Sequence, residues 1–185
     1  MVSRGSDRGH TMRAENMAET RGSTRPAVVR IDDPRALDPS FAGGKAAALS
    51  RAAASGFPVL PGFVIGTIAD LERDRDAIER AWAGLVVQGG QLIVRSSSTG
   101  EDAEASSMAG RFRSIAGVRG WDGFVEAVGL VRASASLTPG VGAPMAVLVQ
   151  PMLEPLRGGV LFGLDPVTGD RRRFVVETVA GSPKS

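Results

Sequence analysis

Residues 92–114 read LIVRSSSTGEDAEASSMAGRFRS, a segment that passes from an apolar run into a polar loop. The apolar run ends at Arg95, and hydroxyl-bearing and small residues follow it. Small residues leave backbone N–H groups accessible to phosphate oxygens, and a guanidinium can pair with such oxygens through two hydrogen bonds. The segment therefore predicts a strand that carries an arginine into an anion-binding loop. Because serine-rich turns are common without a ligand, a buried strand with an ordinary polar loop is the alternative.

A second candidate for anion binding is Lys45, one of two lysines among 22 basic residues. It follows Gly43-Gly44 and precedes an alanine-rich run that predicts a helix over residues 45–55, with Gly56 after its end. The helix dipole disfavours a cation at this position unless an anion binds there. The pattern is not a Walker A motif, because the spacing differs and Ala46 replaces Ser/Thr. A surface lysine beside a helix cap is the alternative.

The remaining pattern predicts alternating strands and helices. Strands are expected at 27–31, 57–65, 115–118 and 145–149, and a hairpin at 158–164 and 173–177. Amphipathic helices are expected at 68–85, with Thr67 as its N-cap, and at 121–132. These elements predict an α+β or mixed α/β fold.

The composition limits the function classes. The net charge is +2, and residues 1–26 hold this excess, with five arginines against three acids. We expect this segment to be a disordered tail, and the balanced remainder does not predict a nucleic-acid surface. The only histidine, His10, lies in the tail, so the sequence predicts no histidine general base and no metal cluster. The lack of cysteine, of a secretory signal and of a long apolar segment predicts a cytoplasmic protein without a membrane span.

Five collinear motifs together resemble a known family. They are GGKAAAL (43–49), GFPVLPGFVI (56–65), VRSSSTGEDAEASSMAG (94–110), MAVLVQPML (145–153) and GGVLFGLDPVTG (158–169). The chain resembles the N-terminal nucleotide-binding domain of the pyruvate phosphate dikinase and phosphoenolpyruvate synthase family, which rifampicin phosphotransferase shares. The resemblance implies a partial ATP-grasp-like domain of the α+β class, with mixed sheets flanked by helices. It also implies a tail at 1–26, a first subdomain at 27–142 and the start of a truncated second subdomain at 143–185.

The resemblance assigns an ATP site residue by residue. Lys45 and Arg95 match the lysine and arginine that contact the phosphates, and Gly110 matches the glycine of the loop that covers them. Ser114 stands where relatives usually have a phosphate-contacting threonine. Gln150 matches the glutamine at the adenine end of the pocket. The family's Mg²⁺ ligands have no match here, so Mg²⁺ is expected to be held by residues outside this chain, and no catalytic residue or metal ligand is assigned within it.

Three functions remain open at this point. In intact relatives ATP donates phosphate toward a histidine on a separate domain, and neither that domain nor an acceptor-binding domain is present. The chain is therefore expected to be the ATP-binding part of a dikinase-like phosphotransferase, inactive alone and completed by a second polypeptide. A stand-alone nucleotide or anion-binding module without chemistry is one alternative, and a decayed remnant is another. No nucleic acid or membrane partner is expected.

Overall fold

The computed structural model describes residues 26–86, 90–98, 113–136 and 145–181. The predicted tail lies outside the described residues, except for Pro26. Strands and helices follow one another as β1 (Val28–Arg30), α1 (Pro39–Ala54), β2 (Phe63–Ile65), α2 (Arg75–Val86), β3 (Leu92–Ser97), β4 (Ser114–Val118), α3 (Trp121–Ser136), β5 (Ala146–Pro151), β6 (Arg157–Phe162) and β7 (Val175–Ala180). A short 3₁₀ helix, Pro34–Leu37, lies between β1 and α1. The predicted α+β class is confirmed.

The main sheet has five strands in the order β1-β2-β5-β3-β4, and every strand pair in the described ranges is antiparallel. β5 is the central strand and pairs with β2 on one side and β3 on the other. Residues 145–150 are all buried, so β5 has no solvent-facing side. This double burial explains why the strand reads as a continuous apolar run instead of an alternating one.

Helices cover both faces of the main sheet. On one face, α2 and α3 pack against inward side chains that include Phe63, Val94 and Val149. Residues of α1 pack on the opposite face against the intervening side chains, Val64 and Leu148. Successive residues of a strand point to opposite faces, so the two clusters share the strands without sharing side chains. We call these the α2/α3 face and the α1 face.

α1 begins six residues earlier than the predicted helix and contains a kink. Asp38 caps its first turn by accepting a hydrogen bond from the Ser40 N–H at 2.9 Å. Gly43 then adopts φ 74° and ψ 170°, which interrupts the helix before residues 44–54 continue it. A Cβ at Gly43 would overlap the carbonyl oxygen of Ser97. Position 43 therefore requires glycine for two reasons, the backbone conformation and the close approach of β3.

The prediction of one helix over 68–85 was wrong at its start. α2 begins at Arg75, and turns occupy the residues before it. The Asp70 carboxylate accepts hydrogen bonds from the Arg73 N–H at 2.8 Å and the Glu72 N–H at 3.0 Å. Such local hydrogen bonds compete with helix formation. Thr67 is not a cap of α2, because its hydroxyl donates to the Ser40 carbonyl at 3.1 Å.

β6 and β7 form a separate two-stranded ribbon in which Arg157 pairs with Ala180 and Phe162 with Val175. Many of its apolar side chains, and those next to it, are exposed: Leu156, Val160, Leu161, Phe162, Leu164, Val167, Phe174, Val176 and Val179. Because β5 belongs to the first sheet, that sheet extends past the predicted boundary at residue 142 to Pro151. The ribbon as the beginning of a second subdomain stays a prediction.

The kink in α1 leads to a test of the glycine requirement. We expect Gly43→Ala to lower the free energy of unfolding by about 3 kcal/mol, because left-handed strain and overlap with β3 add together. Gly56 has a similar φ of 83°, and a Cβ there would meet no described atom within 4 Å. Gly56→Ala should therefore cost about 1–2 kcal/mol from strain alone. Denaturant unfolding measures both values, and equal losses would contradict the role of the close approach.

Candidate functional site

Arg95 lies in the middle of the main sheet and points to its α1 face. It pairs in register with Leu148 of β5 and with Ser114 of β4, and directly paired residues of antiparallel strands share a face. Its side chain is partly buried, and its Nε is buried without a hydrogen-bond partner. Within the ranges the structure describes, the Arg95 guanidinium has no hydrogen bond or ion pair with any other group. A partly buried cation without a protein partner is stabilised when an anion binds.

Lys45 lies just after the kink in α1 and is half-buried. The helix turn that carries it is bound to the end of β3. The Gly44 N–H donates to the Ser98 carbonyl at 3.0 Å, and the Ala46 N–H donates to Ser97 Oγ at 3.0 Å. Two of the first amides of residues 44–54 are therefore occupied by protein groups. Any anion at this helix start would be bound by side chains more than by these amides.

The other predicted site residues have different surroundings. Ser114 is exposed and lies directly opposite Arg95 on the edge strand β4. Gln150 is buried on the same α1 face, opposite Ile93, and its Nε2 donates to the Leu60 carbonyl at 3.2 Å. Gly110 lies outside the described residues. The structure thus brings Arg95, Ser114 and Gln150 onto one face of the sheet, with the turn that carries Lys45 at the end of β3.

Ser97 was predicted only as part of a hydroxyl-rich loop, and its structural role was missed. It is the last residue of β3, is fully buried and accepts the hydrogen bond from Ala46. One sequence signal could have indicated this role. Gly43 stands where a helix usually has Ser, Thr, Asp or Asn as N-cap, so the helix needs a capping oxygen from elsewhere.

A second partly buried arginine, Arg132 on α3, has a structural role in this fold, although its Nε is buried without a hydrogen-bond partner as that of Arg95 is. Its two terminal nitrogens donate to the Ala69 carbonyl at 2.7 Å and to the Gly66 carbonyl at 3.1 Å. Burial lowers its pKa, and the nearby carboxylates of Asp70 and Asp74 partly oppose that shift. Arg132 therefore binds the turns before α2 to α3, whereas Arg95 has no comparable partner.

A cavity of about 410 Å³ lies at the Gln150 end of the sheet. Its walls are mostly apolar and include Leu60, whose carbonyl oxygen accepts the Gln150 hydrogen bond. Arg30 and Arg80 add positive charge to its lining, and a carboxylate, Asp32, binds Arg30 at 2.7 Å. Neither Lys45 nor Arg95 lines this cavity, so it is not the space in which these two cations would meet an anion.

No cluster of three or more His, Cys, Asp or Glu side chains in the described part of the chain is placed to hold a metal ion. The helices of that part include none with the length and apolar character needed to cross a membrane.

Comparisons with known proteins add independent information. Residues 69–185 match the family described as pyruvate phosphate dikinase, AMP/ATP-binding domain. This range includes Arg95, Ser114 and Gln150, whereas Lys45 precedes it. The chain is 28% identical to the prodigiosin synthesizing transferase PigC of Serratia marcescens, over 83% of this chain and 22% of that protein.

Two further relatives carry names that refer to phosphoenolpyruvate or to phosphotransfer. The chain is 32% identical to the phosphoenolpyruvate synthase of Aeropyrum pernix, over 57% of this chain and 14% of that protein. It is also 32% identical to the rifampicin phosphotransferase of a Streptomyces species, with the same two shares. The matched part of the chain thus spans 14–22% of the length of these relatives.

The contrast between the two arginines gives a stability test that needs no ligand. We expect Arg95→Met to leave the free energy of unfolding unchanged or to raise it by about 1 kcal/mol, because it removes a buried donor without a partner. Arg132→Met should lower it by about 1–3 kcal/mol, because the Ala69 carbonyl loses its Arg132 donor and the Gly66 carbonyl keeps only the Ala69 N–H. Both variants are compared with wild-type protein by denaturant unfolding without nucleotide. A large loss for Arg95→Met would show that Arg95 has a structural role.

Proposed function

Because the chain belongs to the family of the pyruvate phosphate dikinase AMP/ATP-binding domain, we propose that its α1 face binds the phosphate chain of ATP through Arg95 and Lys45. The observation that carries this proposal is the partly buried Arg95 guanidinium, which has no partner among the described residues. A guanidinium binds phosphate oxygens through two hydrogen bonds, and Lys45 adds a second positive charge. The anion supplies the hydrogen-bond partners that the Arg95 guanidinium lacks among the described residues.

The remaining assigned residues complete the proposed site. Ser114 lies opposite Arg95 and presents a hydroxyl at the exposed edge of the sheet. Gln150 uses its Nε2 to bind the Leu60 carbonyl, so its Oε1 is the atom available to accept a hydrogen bond from the adenine amino group. We assign Gly110 to the loop that covers the phosphates. Gln150, Arg95 and the turn with Lys45 follow one another along the α1 face. The proposed nucleotide therefore lies along this face, with its adenine near Gln150 and its phosphates near Arg95 and Lys45.

We further propose that this chain is the ATP-binding part of a phosphotransferase similar to phosphoenolpyruvate synthase and pyruvate phosphate dikinase. The chain spans only 14–22% of the relatives reported above, so the complete reaction needs residues beyond those present here. The carboxylates for Mg²⁺ and the group that receives phosphate belong to those residues. In phosphoryl transfer, the part of Lys45 and Arg95 is to position the phosphates and neutralise their charge. A cytoplasmic location remains part of this proposal.

The exposed apolar side chains on and next to β6 and β7 support the proposal that this chain binds a partner protein. Leu156 is 93% exposed and Val167 is 91% exposed, and contiguous apolar surfaces of this kind usually mark an interaction site. The family match continues through the ribbon. We propose that the remainder of the nucleotide-binding domain, carried by a second polypeptide together with the phosphohistidine domain, packs on β6 and β7. Without it, the chain is expected to bind ATP and to transfer no phosphate.

A titration of Mg·ATP into the purified chain tests the ATP site. We expect saturable binding in calorimetry, and we expect Arg95→Ala and Lys45→Ala each to weaken it about tenfold or more, because each removes a charge-assisted contact. Arg51→Ala is the matched control, since Arg51 is an exposed arginine on the same helix as Lys45. It should bind like wild-type protein.

Two other results of this titration would favour the alternative functions. Saturable binding without any partner protein that restores phosphoryl transfer would favour a stand-alone nucleotide-binding module. A folded, monodisperse chain that binds no nucleotide would contradict the proposal and would favour a remnant that has lost the site.

A further inference from the structure

The helix segment 44–54 has no N-cap side chain of its own. Gly43 stands at the cap position with φ 74°, and it has no side-chain oxygen to offer. An N-cap oxygen normally accepts a hydrogen bond from the second or third amide of its own helix. Here the third amide, that of Ala46, donates to Ser97 Oγ at 3.0 Å, from a residue 51 positions away in the sequence. Ser97 therefore caps α1 from the end of β3.

Two further features make this contact specific. The first amide of the segment, that of Gly44, donates to the neighbouring Ser98 carbonyl at 3.0 Å. The absent Cβ of Gly43 leaves the space in which the Ser97 backbone lies. We call this set of contacts between Gly43, Gly44 and Ala46 on one side and Ser97 and Ser98 on the other the β3–α1 interlock.

Lys45 lies between Gly44 and Ala46, whose amides are both bound to the end of β3 in the β3–α1 interlock. Ser97 lies two positions beyond Arg95 on the same strand, and alternate residues of a strand point to the same face. The backbone of Lys45 is therefore held at a set place relative to Arg95. Ser97 itself is fully buried, and its hydroxyl oxygen is already used as the acceptor for Ala46.

We propose that Ser97 is a positioning residue for nucleotide binding, which acts by fixing Lys45 where it meets the same phosphate chain as Arg95. This inference rests on the proposed ATP site and adds a residue to it. A bidentate or paired-cation site loses affinity when one cation is displaced, even though both charges are still present. The hydroxyl of Ser97 thus contributes to affinity through Lys45 and not through the ligand.

A double-mutant cycle of Ser97→Ala and Lys45→Met tests this mechanism. Mg·ATP affinity is measured by calorimetry for wild-type protein, both single variants and the double variant. We expect Ser97→Ala to weaken binding about tenfold in the wild-type background and to have no effect in the Lys45→Met background. Equal weakening in both backgrounds would overturn the proposal, because it would mean that Ser97 contacts the ligand directly or acts on the whole fold.

Two controls separate positioning from a general loss of stability. Ser97→Ala should lower the melting temperature by about 2–4 °C, as expected for a lost N-cap in a chain of this size. Ile78→Val, on the opposite face of the sheet, should produce a similar shift through a lost buried methyl group while ATP affinity stays at the wild-type value. If Ile78→Val weakens binding as much as Ser97→Ala, the positioning role is overturned.

A measurement without nucleotide tests the β3–α1 interlock itself. Hydrogen exchange of the Ala46 amide, followed by NMR, should become faster in Ser97→Ala and in Ser97→Cys, whose sulfur is a weak acceptor of similar size. Unchanged exchange would overturn the capping role. If wild-type protein shows this protection but binds no ATP, the proposed function fails and the positioning role fails with it. If wild-type protein binds ATP and Ser97→Ala binds equally well, only the positioning role fails.

Discussion

The pairing of β3 with β5 is the constraint on which the rest of the structure depends. β5 is buried on both faces. Each side chain of the neighbouring strands β2 and β3 therefore packs in one of the two layers on either side of the sheet. The register places Val94 opposite Val149 and Arg95 opposite Leu148. A shift by one residue would turn the arginine into the layer formed with α2 and α3. The register thus puts a cation on the α1 face and keeps the opposite face apolar.

Two partly buried arginines, Arg95 and Arg132, have different hydrogen-bond partners in this fold. The terminal nitrogens of Arg132 both bind carbonyl oxygens of the turns before α2, and this use is structural. The Arg95 guanidinium has no such hydrogen bonds in the described part of the protein. The Nε atoms of both arginines are buried without a partner, so the difference lies in the terminal nitrogens. Those of Arg132 donate to carbonyl oxygens, whereas those of Arg95 have no partner among the described residues, a condition suited to an anionic ligand. Because the chain belongs to an AMP/ATP-binding family, the anion proposed for Arg95 is the phosphate chain of a nucleotide.

The relation between α1 and β3 shows how a ligand site and a packing contact can use the same residues. Gly43 is required by the close approach of Ser97, and the same approach supplies the oxygen that caps the helix. Gly43 is therefore explained by strand–helix contact, and the Gly44 amide is occupied by the Ser98 carbonyl. The proposed site depends on two side chains carried by two different elements, so the position of each element is expected to affect its affinity.

The sequence alone determined the α+β class, the family and the helix and strand that carry Lys45 and Arg95, because periodicity and collinear motifs are local properties. It did not determine where α2 begins, since carboxylates such as Asp70 compete with the helix through contacts that patterns of apolar residues do not record. Only the tertiary structure decided that Arg95 and Gln150 share a face and that β5 is central. It alone also showed that Ser97 caps a helix 51 residues away. Each of these depends on sheet register and on contacts between distant residues, which neither spacing nor composition specifies.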